Sequence, residues 1–398
     1  MPYQTGQNVS VRYKVQSARG TPASGAGAKE LPLVASPGLR LSKSMIDSPE
    51  VRSDGMRSIG RHGSRSVAGS YTTVLRVGAQ YELFEALFRS TWTAAFTVTE
   101  ATMTSITTPT TSTIVAAAGS WITQGVKVGD VVRLTNHSTA GNNSINLLVT
   151  AVTASTLTVA GAPLTVNAVA DTAFTLSVAK RLGQGVVSRY FTFEEYHTDI
   201  DQSETFTDCM VSSADFALQP DGSVQVTFGI VGINAVSNAS GASPVFTAPT
   251  QYQGANLVAV DATILKDGVA VTDLTGFSLN MDMAAQLLAV IGATTSPDVF
   301  PNNTAVSGSI SAPRADLAWL DSFIAETEHS FLLHLVEPES QPKDHLTLFL
   351  PLTKLMESPD APLGGDGPMI GSMALGVGKK PATSGFLETM VQLSTSAA

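Results

Sequence analysis

Two short amphipathic helices stand at matching places in the two halves of a chain that otherwise reads as strands, and this internal echo constrains the fold more than any single motif. Residues 80–89 (QYELFEALFR) place Tyr81, Phe84, Leu87 and Phe88 at i, i+3, i+6 and i+7. Residues 314–325 (RADLAWLDSFIA) repeat that spacing with Leu317, Leu320, Phe323 and Ile324. Each pattern predicts a helix with one apolar stripe. Short identities flank both: GLRL at 38–41 matches GFSL at 276–279 at an offset of 238, VAGS at 67–70 matches VSGS at 306–309 at 239, and the helices follow at 236. Beyond them the offset falls: Phe191 matches Phe331 at 140 and Pro220 matches Pro359 at 139, so the first copy carries about 96 extra residues. Asp221-Gly222 with Phe228-Gly229-Ile230 then mirrors Asp366-Gly367 with Leu375-Gly376-Val377. Order and spacing survive throughout, which predicts a duplicated domain.

Away from the helices the dominant pattern has period two. Val224–Phe228, Leu346–Leu350 and Tyr190–Phe193 alternate β-branched or aromatic residues with polar ones, the pattern of half-buried strands. The expected architecture is mainly β: a first domain at 1–92 plus 181–233, an inserted small β domain at 93–180, a Ser/Ala/Gly-rich linker at 234–251 and a second domain at 252–398. The insertion is rich in Thr, Ala and Val, with Trp121, Gly129-Asp130, Asn142-Asn143 and a strand-like run at 156–160. It reads as a small barrel or sandwich.

Composition narrows the class. The chain is 43% hydrophobic and 14% charged, against a usual charged share of about 25%; this excludes whole-chain disorder and suggests that other protein covers much of the surface. The longest apolar run, 287–293, is far too short for a membrane span. A single cysteine, Cys209, excludes an internal disulfide and a zinc site of cysteine pairs. No apolar h-region follows Met1-Pro2-Tyr3-Gln4, so cytoplasmic synthesis is the expectation.

Charge is unevenly placed. Residues 1–92 hold 12 Lys/Arg against 6 Asp/Glu, net +6, and the remainder hold 11 against 27, net −16. The segment 44–66 (SMIDSPEVRSDGMRSIGRHGSRS) carries Arg52, Arg57, Arg61 and Arg65 and reads as a long loop; its counterpart at 282–305 has no arginine. Such long loops are uncommon unless they function. Pairing with the acidic surface of a neighbouring copy is favoured over nucleic-acid binding, for which the loop has no aromatic residue for base stacking and offers phosphate contact alone, and a solvated basic loop is the third reading.

Catalytic constellations are missing. The histidines (62, 137, 197, 329, 334, 345) form no HExxH or related spacing. The acidic cluster Glu194-Glu195-Tyr196-His197-Thr198-Asp199-Ile200-Asp201 lacks the glycine and terminal Glu of an EF-hand loop and reads as a strand end entering a solvated turn. Cys209 in TDCMVSS is a small buried hydrophobe rather than a reactive thiolate. Gly25-Ala26-Gly27 and Gly376–Lys380 complete no phosphate loop, Gly364–Gly367 reads as a hairpin connection, and no Gly-x-Ser-x-Gly elbow occurs. No enzyme, cofactor or metal site is expected.

Four passages, SPGLRLSKSMIDSPEVRSDGMRS, VAGSYTTVLRVGAQYELFEALFRSTW, TFEEYHTDIDQSETFTDCMVSSADFALQPDGSVQVTFGIVG and GGDGPMIGSMALGVG, resemble the tail tube (major tail) proteins of long, non-contractile-tailed bacteriophages. The four passages span about a quarter of the chain. The resemblance implies a β-sandwich or barrel tube domain with a short helix, whose sheets join those of ring neighbours around a lumen; rings stack into a tube through which genomic DNA passes without specific binding. It implies as partners the tape measure, tail tip and terminator proteins, residence in the virion tail after synthesis in the host bacterial cytoplasm, and no membrane. In this family a long loop between early strands reaches the adjacent ring or subunit, which makes Arg52, Arg57, Arg61 and Arg65 the contact residues. Duplication adds that three chains could form a pseudo-hexameric ring, a true hexamer being second choice. The acidic remainder has the sign of a channel that repels phosphate. Alternatives are a decoration or tail-terminator protein, or an adhesive, carbohydrate-binding β module, which would call for clustered exposed aromatics.

Overall fold

The computed structural model describes residues 3–56, 59–338, 340, 342–358, 364, 367–383 and 385–396. The first half contains β1 (Val9–Val15), β2 (Lys29–Glu30), β3 (Gly38–Ile46), β4 (Arg61–Val74) and α1 (Tyr81–Leu87). An eight-stranded sheet follows from β5 (Phe96–Thr99), α2 (Glu100–Met103), β6 (Ile106–Thr110), β7 (Thr113–Ala116), β8 (Val131–Thr135), β9 (Leu147–Val152), β10 (Thr156–Val159), β11 (Asn167–Asp171) and β12 (Thr175–Val178). The chain returns through β13 (Lys180–Leu182), β14 (Phe191–His197), β15 (Gln202–Leu218), β16 (Gln225–Gly232) and β17 (Asn234–Asn238). The second half runs β18 (Thr263–Lys266), β19 (Val269–Val271), β20 (Gly276–Asp282), β21 (Gln286–Leu287), β22 (Val299–Phe300), β23 (Ala305–Pro313), α3 (Ala318–Ile324), β24 (His329–Val336), β25 (His345–Leu355), β26 (Ile370–Val377) and β27 (Gln392–Thr395). The protein is mainly β, in layered sheets.

Strand patterning follows what covers each face. Along β16, Val226, Phe228 and Ile230 are buried while Gln225, Thr227 and Gly229 look away from the core, as period two demands of a sheet with one covered face. The first part of β25 is buried on both faces. Leu346, Leu348 and Leu350 enter the main core, whereas Phe349 on the other face packs with Val128, Val131 and Leu148 of the inserted stretch.

The second half repeats the pairings of the first. β1–β14, β14–β15, β15–β17, β15–β16, β16–β4 and β4–β3 in one half answer to β18–β24, β24–β25, β25–β27, β25–β26, β26–β23 and β23–β20 in the other. Register refines the sequence offsets. Leu39 lies opposite Gly69, and Leu279 opposite Gly308. A Cβ on either glycine would strike backbone, Gly38 O in one half and Ser278 O in the other, so both crossings require glycine. Leu39 is therefore equivalent to Leu279 at an offset of 240, not 238. The helices correspond at 237 rather than 236, because Arg89 and Glu326 occupy the same left-handed conformation after them, with φ of 51° and 50°. Single apolar matches in the sequence align strands only to within one repeat of the alternation.

One sheet runs through both halves. The end of β15, Ser213–Leu218, pairs on one side with β16 and on the other with β20, from Ser213 opposite Asp282 to Leu218 opposite Phe277. This yields an antiparallel series β3–β4–β16–β15–β20–β23–β26–β25, four strands from each half. A single core joins them, including Phe84, Phe216 and Phe228 from the first half and Phe277, Leu333 and Leu348 from the second. Phe84 on α1 stacks on Phe216, with ring centroids 5.9 Å apart and planes 9° from parallel.

The stretch 234–251, expected to be a linker, begins as β17 hydrogen-bonded to β15 and then bridges back to Gly25 and Lys29. Phe246 is fully buried, and the backbone N–H groups of Val245 and Phe246 donate to the Glu194 carboxylate at 2.6 and 3.1 Å. Its small polar side chains suit an exposed edge strand as well as a linker, and composition does not separate the two. The eight-stranded sheet has its own core around Trp121, whose indole N–H donates to Ser155 O. It sits on the outer face of β18, β24 and β25 through Leu265, Leu332 and Phe349. Beside this contact Asp130 is fully buried, pairs with Arg181 at 2.9 Å and accepts from Gln392 at 2.9 Å; burial still pushes its carboxyl up to about 6 against the guanidinium.

Candidate assembly surface

The stretch 44–66, expected as a long loop, is an arm that is strand only at its two ends, where 44–46 finish β3 and 61–66 begin β4; residues 47–56, 59 and 60 are irregular. β3 continues to Ile46, β4 begins at Arg61, and the register runs Lys43 opposite Arg65, Met45 opposite His62 and Ile46 opposite Arg61. The polarity that suggested a loop belongs to a hydroxyl ladder: Ser42 meets Ser66 at 2.8 Å and Ser44 meets Ser64 at 3.2 Å between side-chain oxygens. With neither face covered, the arm lacks apolar alternation, and the strand signal is lost.

Arg52, Arg61 and Arg65 are not brought together. Arg61 and Arg65 lie on β4, and the backbone N–H of Arg65 donates to Thr294 O at 2.8 Å, anchoring the arm to the second half. Arg52 lies in the tip, where its guanidinium pairs with Asp54 at 2.8 Å and holds that exposed carboxyl below its ordinary range. Arg57 lies outside the described residues. The arm also carries exposed apolar residues that the charge reading missed: Met45, Ile46, Val51, Met56 and Ile59. Apolar groups concentrated on an exposed arm mark a contact site.

The joined sheet has open ends. Among the described residues β3 pairs with β4 alone. At the other end β24 stops opposite Thr353, while Met356 still donates its N–H to Ala374 O at 2.9 Å; among the described residues no strand lies on the opposite side of 354–358. Next to that gap α3 exposes Leu317 and Ile324, the latter 70% exposed, whereas α1 buries Leu83, Phe84, Ala86 and Leu87. A groove of about 170 Å³ under α3 is lined by Ala312, Leu317, Trp319, Leu320, Ser358 and Met373 among others. Exposed edges of this kind template pairing with another chain. Sequence periodicity sees neither edge, because exposure of a strand's hydrogen bonds is a property of its neighbours.

The face of this sheet turned from the core is small and polar. It presents Ser70, Thr72, Thr227, Ser278 and Ser309, with Thr72 and Thr227 hydroxyls 2.9 Å apart. Its carboxylates are Asp215, which accepts from Asn280 at 2.5 Å, and Asp282.

Residues that sequence reading weighed for chemistry have structural partners. Glu195 accepts from the Tyr71 hydroxyl at 2.6 Å and the Leu39 N–H at 2.9 Å; Asp199 accepts from Thr5, and Asp201 from Ser240 and Tyr196. Burial raises the Cys209 thiol, with Asp208 adding to the shift. His334 and His345 are buried 5.3 Å apart between ring centroids; burial and the Arg133 guanidinium lower both, His334 to about 4. Among the described residues no group of three or more His, Cys, Asp or Glu could hold a metal ion, and no helix is long and apolar enough to cross a membrane.

Layered sheets with polar faces, open edges and a basic projecting arm define a structural protein that presents surfaces to other protein. The family model of phage tail tube proteins matches residues 6–375, spanning both halves and the insertion, and the chain belongs to that family. It is thus a structural, non-enzymatic component of a bacteriophage virion. A comparison with curated proteins finds no match.

Proposed function

We propose that copies of this chain assemble as rings of three, each chain giving two tube units (residues 1–92 with 181–233, and 252–398), and that the rings stack into a tail tube through which double-stranded DNA passes without specific binding. The observation that carries this reading is the eight-strand series made of two four-strand halves with matching pairings and an open edge at each end. Three such series close around one axis with six equivalent units, and closure removes every edge. The hydroxyl-rich face then lines the lumen, with Asp215 and Asp282 supplying negative charge and Arg40 of β3 an exposed guanidinium on the same face. The arm at 44–66, through Arg52, Arg57, Arg61, Arg65 and its exposed apolar residues, contacts the adjacent ring or subunit. The insertion at 93–180 occupies the outside of the tube. Tape measure, tip and terminator proteins are the further partners, and synthesis takes place in the host bacterial cytoplasm.

Negative-stain electron microscopy across protein concentration, with rotational averaging of end views, tests this. Hollow tubes whose end views show six lobes modulated three-fold are expected. Six-fold views without three-fold modulation would mean six chains per ring, and dispersed particles at every concentration, with or without purified tail tips, would overturn polymerisation.

A further inference from the structure

We infer that chains join by strand addition: β3 of one chain pairs antiparallel with residues 354–358 of the next, with Ser42 opposite Met356, Leu41 opposite Glu357 and Arg40 opposite Ser358. The inference rests on the ring proposed above and specifies its contact. The template lies inside the chain, where β20 of the second half already lies along the end of β15 of the first. The two halves share their pairings, so the same joint exists a second time with its two sides on different molecules.

The register follows from equivalent positions. Ile230 lies opposite Gly69 and Leu375 opposite Gly308, which makes Gly229 equivalent to Ala374. Ser213 is opposite Gly229, and Met356 donates to Ala374, so Met356 takes the place of Ser213. On the other side, the equivalence of Leu39 with Leu279 makes Ser42 the counterpart of Asp282. Asp282 is opposite Ser213, which places Ser42 opposite Met356.

Burial supports the same pairing. β20 alternates buried and half-buried residues over its full length, with Leu279 and Met281 enclosed, whereas every residue of β3 from Arg40 to Ile46 is exposed. Leu41, the counterpart of Met281, is 37% exposed, and Met356 is 63% exposed. In the first half α1 closes over the internal joint; α3 stands open beside the empty one. An added strand brings Leu41 under the exposed side of α3 and gives both edges their hydrogen-bond partners. Lys43 falls diagonal to Glu357 on one face, an opposite-charge pair that favours this register over its neighbours.

Cysteine pairs test it, since the native Cys209 is fully buried. In Ser42→Cys/Met356→Cys tubes, mild oxidation is expected to link neighbouring chains, giving non-reducing gel bands that end at three chains. The pair Arg40→Cys/Lys354→Cys, four residues out of register, is expected to link about ten-fold less, because disulfides demand close Cα atoms. Each single variant, at an exposed site, serves as a check on folding by its melting curve. Tubes that form without the in-register link, or with equal linking by both pairs, would overturn the strand pairing and leave polymerisation standing. A link within one chain, seen as a faster-running monomer, would also overturn it. Failure of the unmodified protein to form tubes would instead overturn the ring reading, and the joint with it.

Discussion

Arg61 shows how little a residue's charge says about its surroundings. The sequence places it among four arginines in a loop, yet it stands on a strand opposite Ile46, which is 61% exposed. An exposed charge without a buried partner contributes little to folding. Arg61→Glu is therefore expected to leave the melting temperature within experimental error, a change under about 0.5 kcal/mol, while blocking tube growth seen by electron microscopy. Normal tubes from this variant would remove the arm from the contact. The buried carboxylate Glu194 makes the opposite point. It belongs to a run that reads as solvated, but two backbone N–H groups from 245–246 and Arg12 at 4.0 Å claim it.

At the scale of elements, α1 and α3 have the same length and conformation but different environments. Phe84 sits in the core against Phe216 and Phe228, so Phe84→Ala is expected to cost about 3–5 kcal/mol in urea unfolding. Ile324→Ala on α3 is expected to cost under about 0.5 kcal/mol in the isolated chain but to weaken assembled tubes, raising the protein concentration at which they appear by light scattering. The strands β24 and β25 hold the histidine pair. Both imidazoles are lowered below their ordinary value of 6.5 by burial, so the folded state keeps them neutral while the unfolded chain takes up protons as pH falls. Their contribution is full above about pH 6.5 and is lost as pH falls through that value toward the lowered His334 value of about 4. His345→Leu is expected to flatten the fall in melting temperature over that range; an unchanged slope would assign the acid sensitivity elsewhere.

Across the whole molecule, one core joins halves that the sequence reads as separate domains. Trp92 packs beside the first half's core and Trp319 beside the second's, stacked on Phe331. Single-tryptophan variants retaining Trp92 or Trp319 are expected to melt at the same temperature, as one cooperative unit does. Two well-separated fluorescence transitions would mean that the β15–β20 joint is too weak to couple the halves. The insertion, with its own core around Trp121, has the means to unfold at a different temperature.

By itself the sequence determined the β class, the helices α1 and α3 to within a few residues and the resemblance to tail tube proteins, because these rest on local periodicity and on patterns kept in order along the chain. Tertiary structure alone decided the rest. Whether 44–66 is loop or arm, whether 234–251 is linker or edge strand, and which edges stay open all depend on what lies beside a segment in space. A strand whose faces are both exposed carries no apolar alternation, and an unpaired N–H leaves no mark in the residue that bears it. Thus Ser42 and Asp282, far apart in sequence and unlike in charge, hold equivalent places only by virtue of the strands they pair with in the two halves.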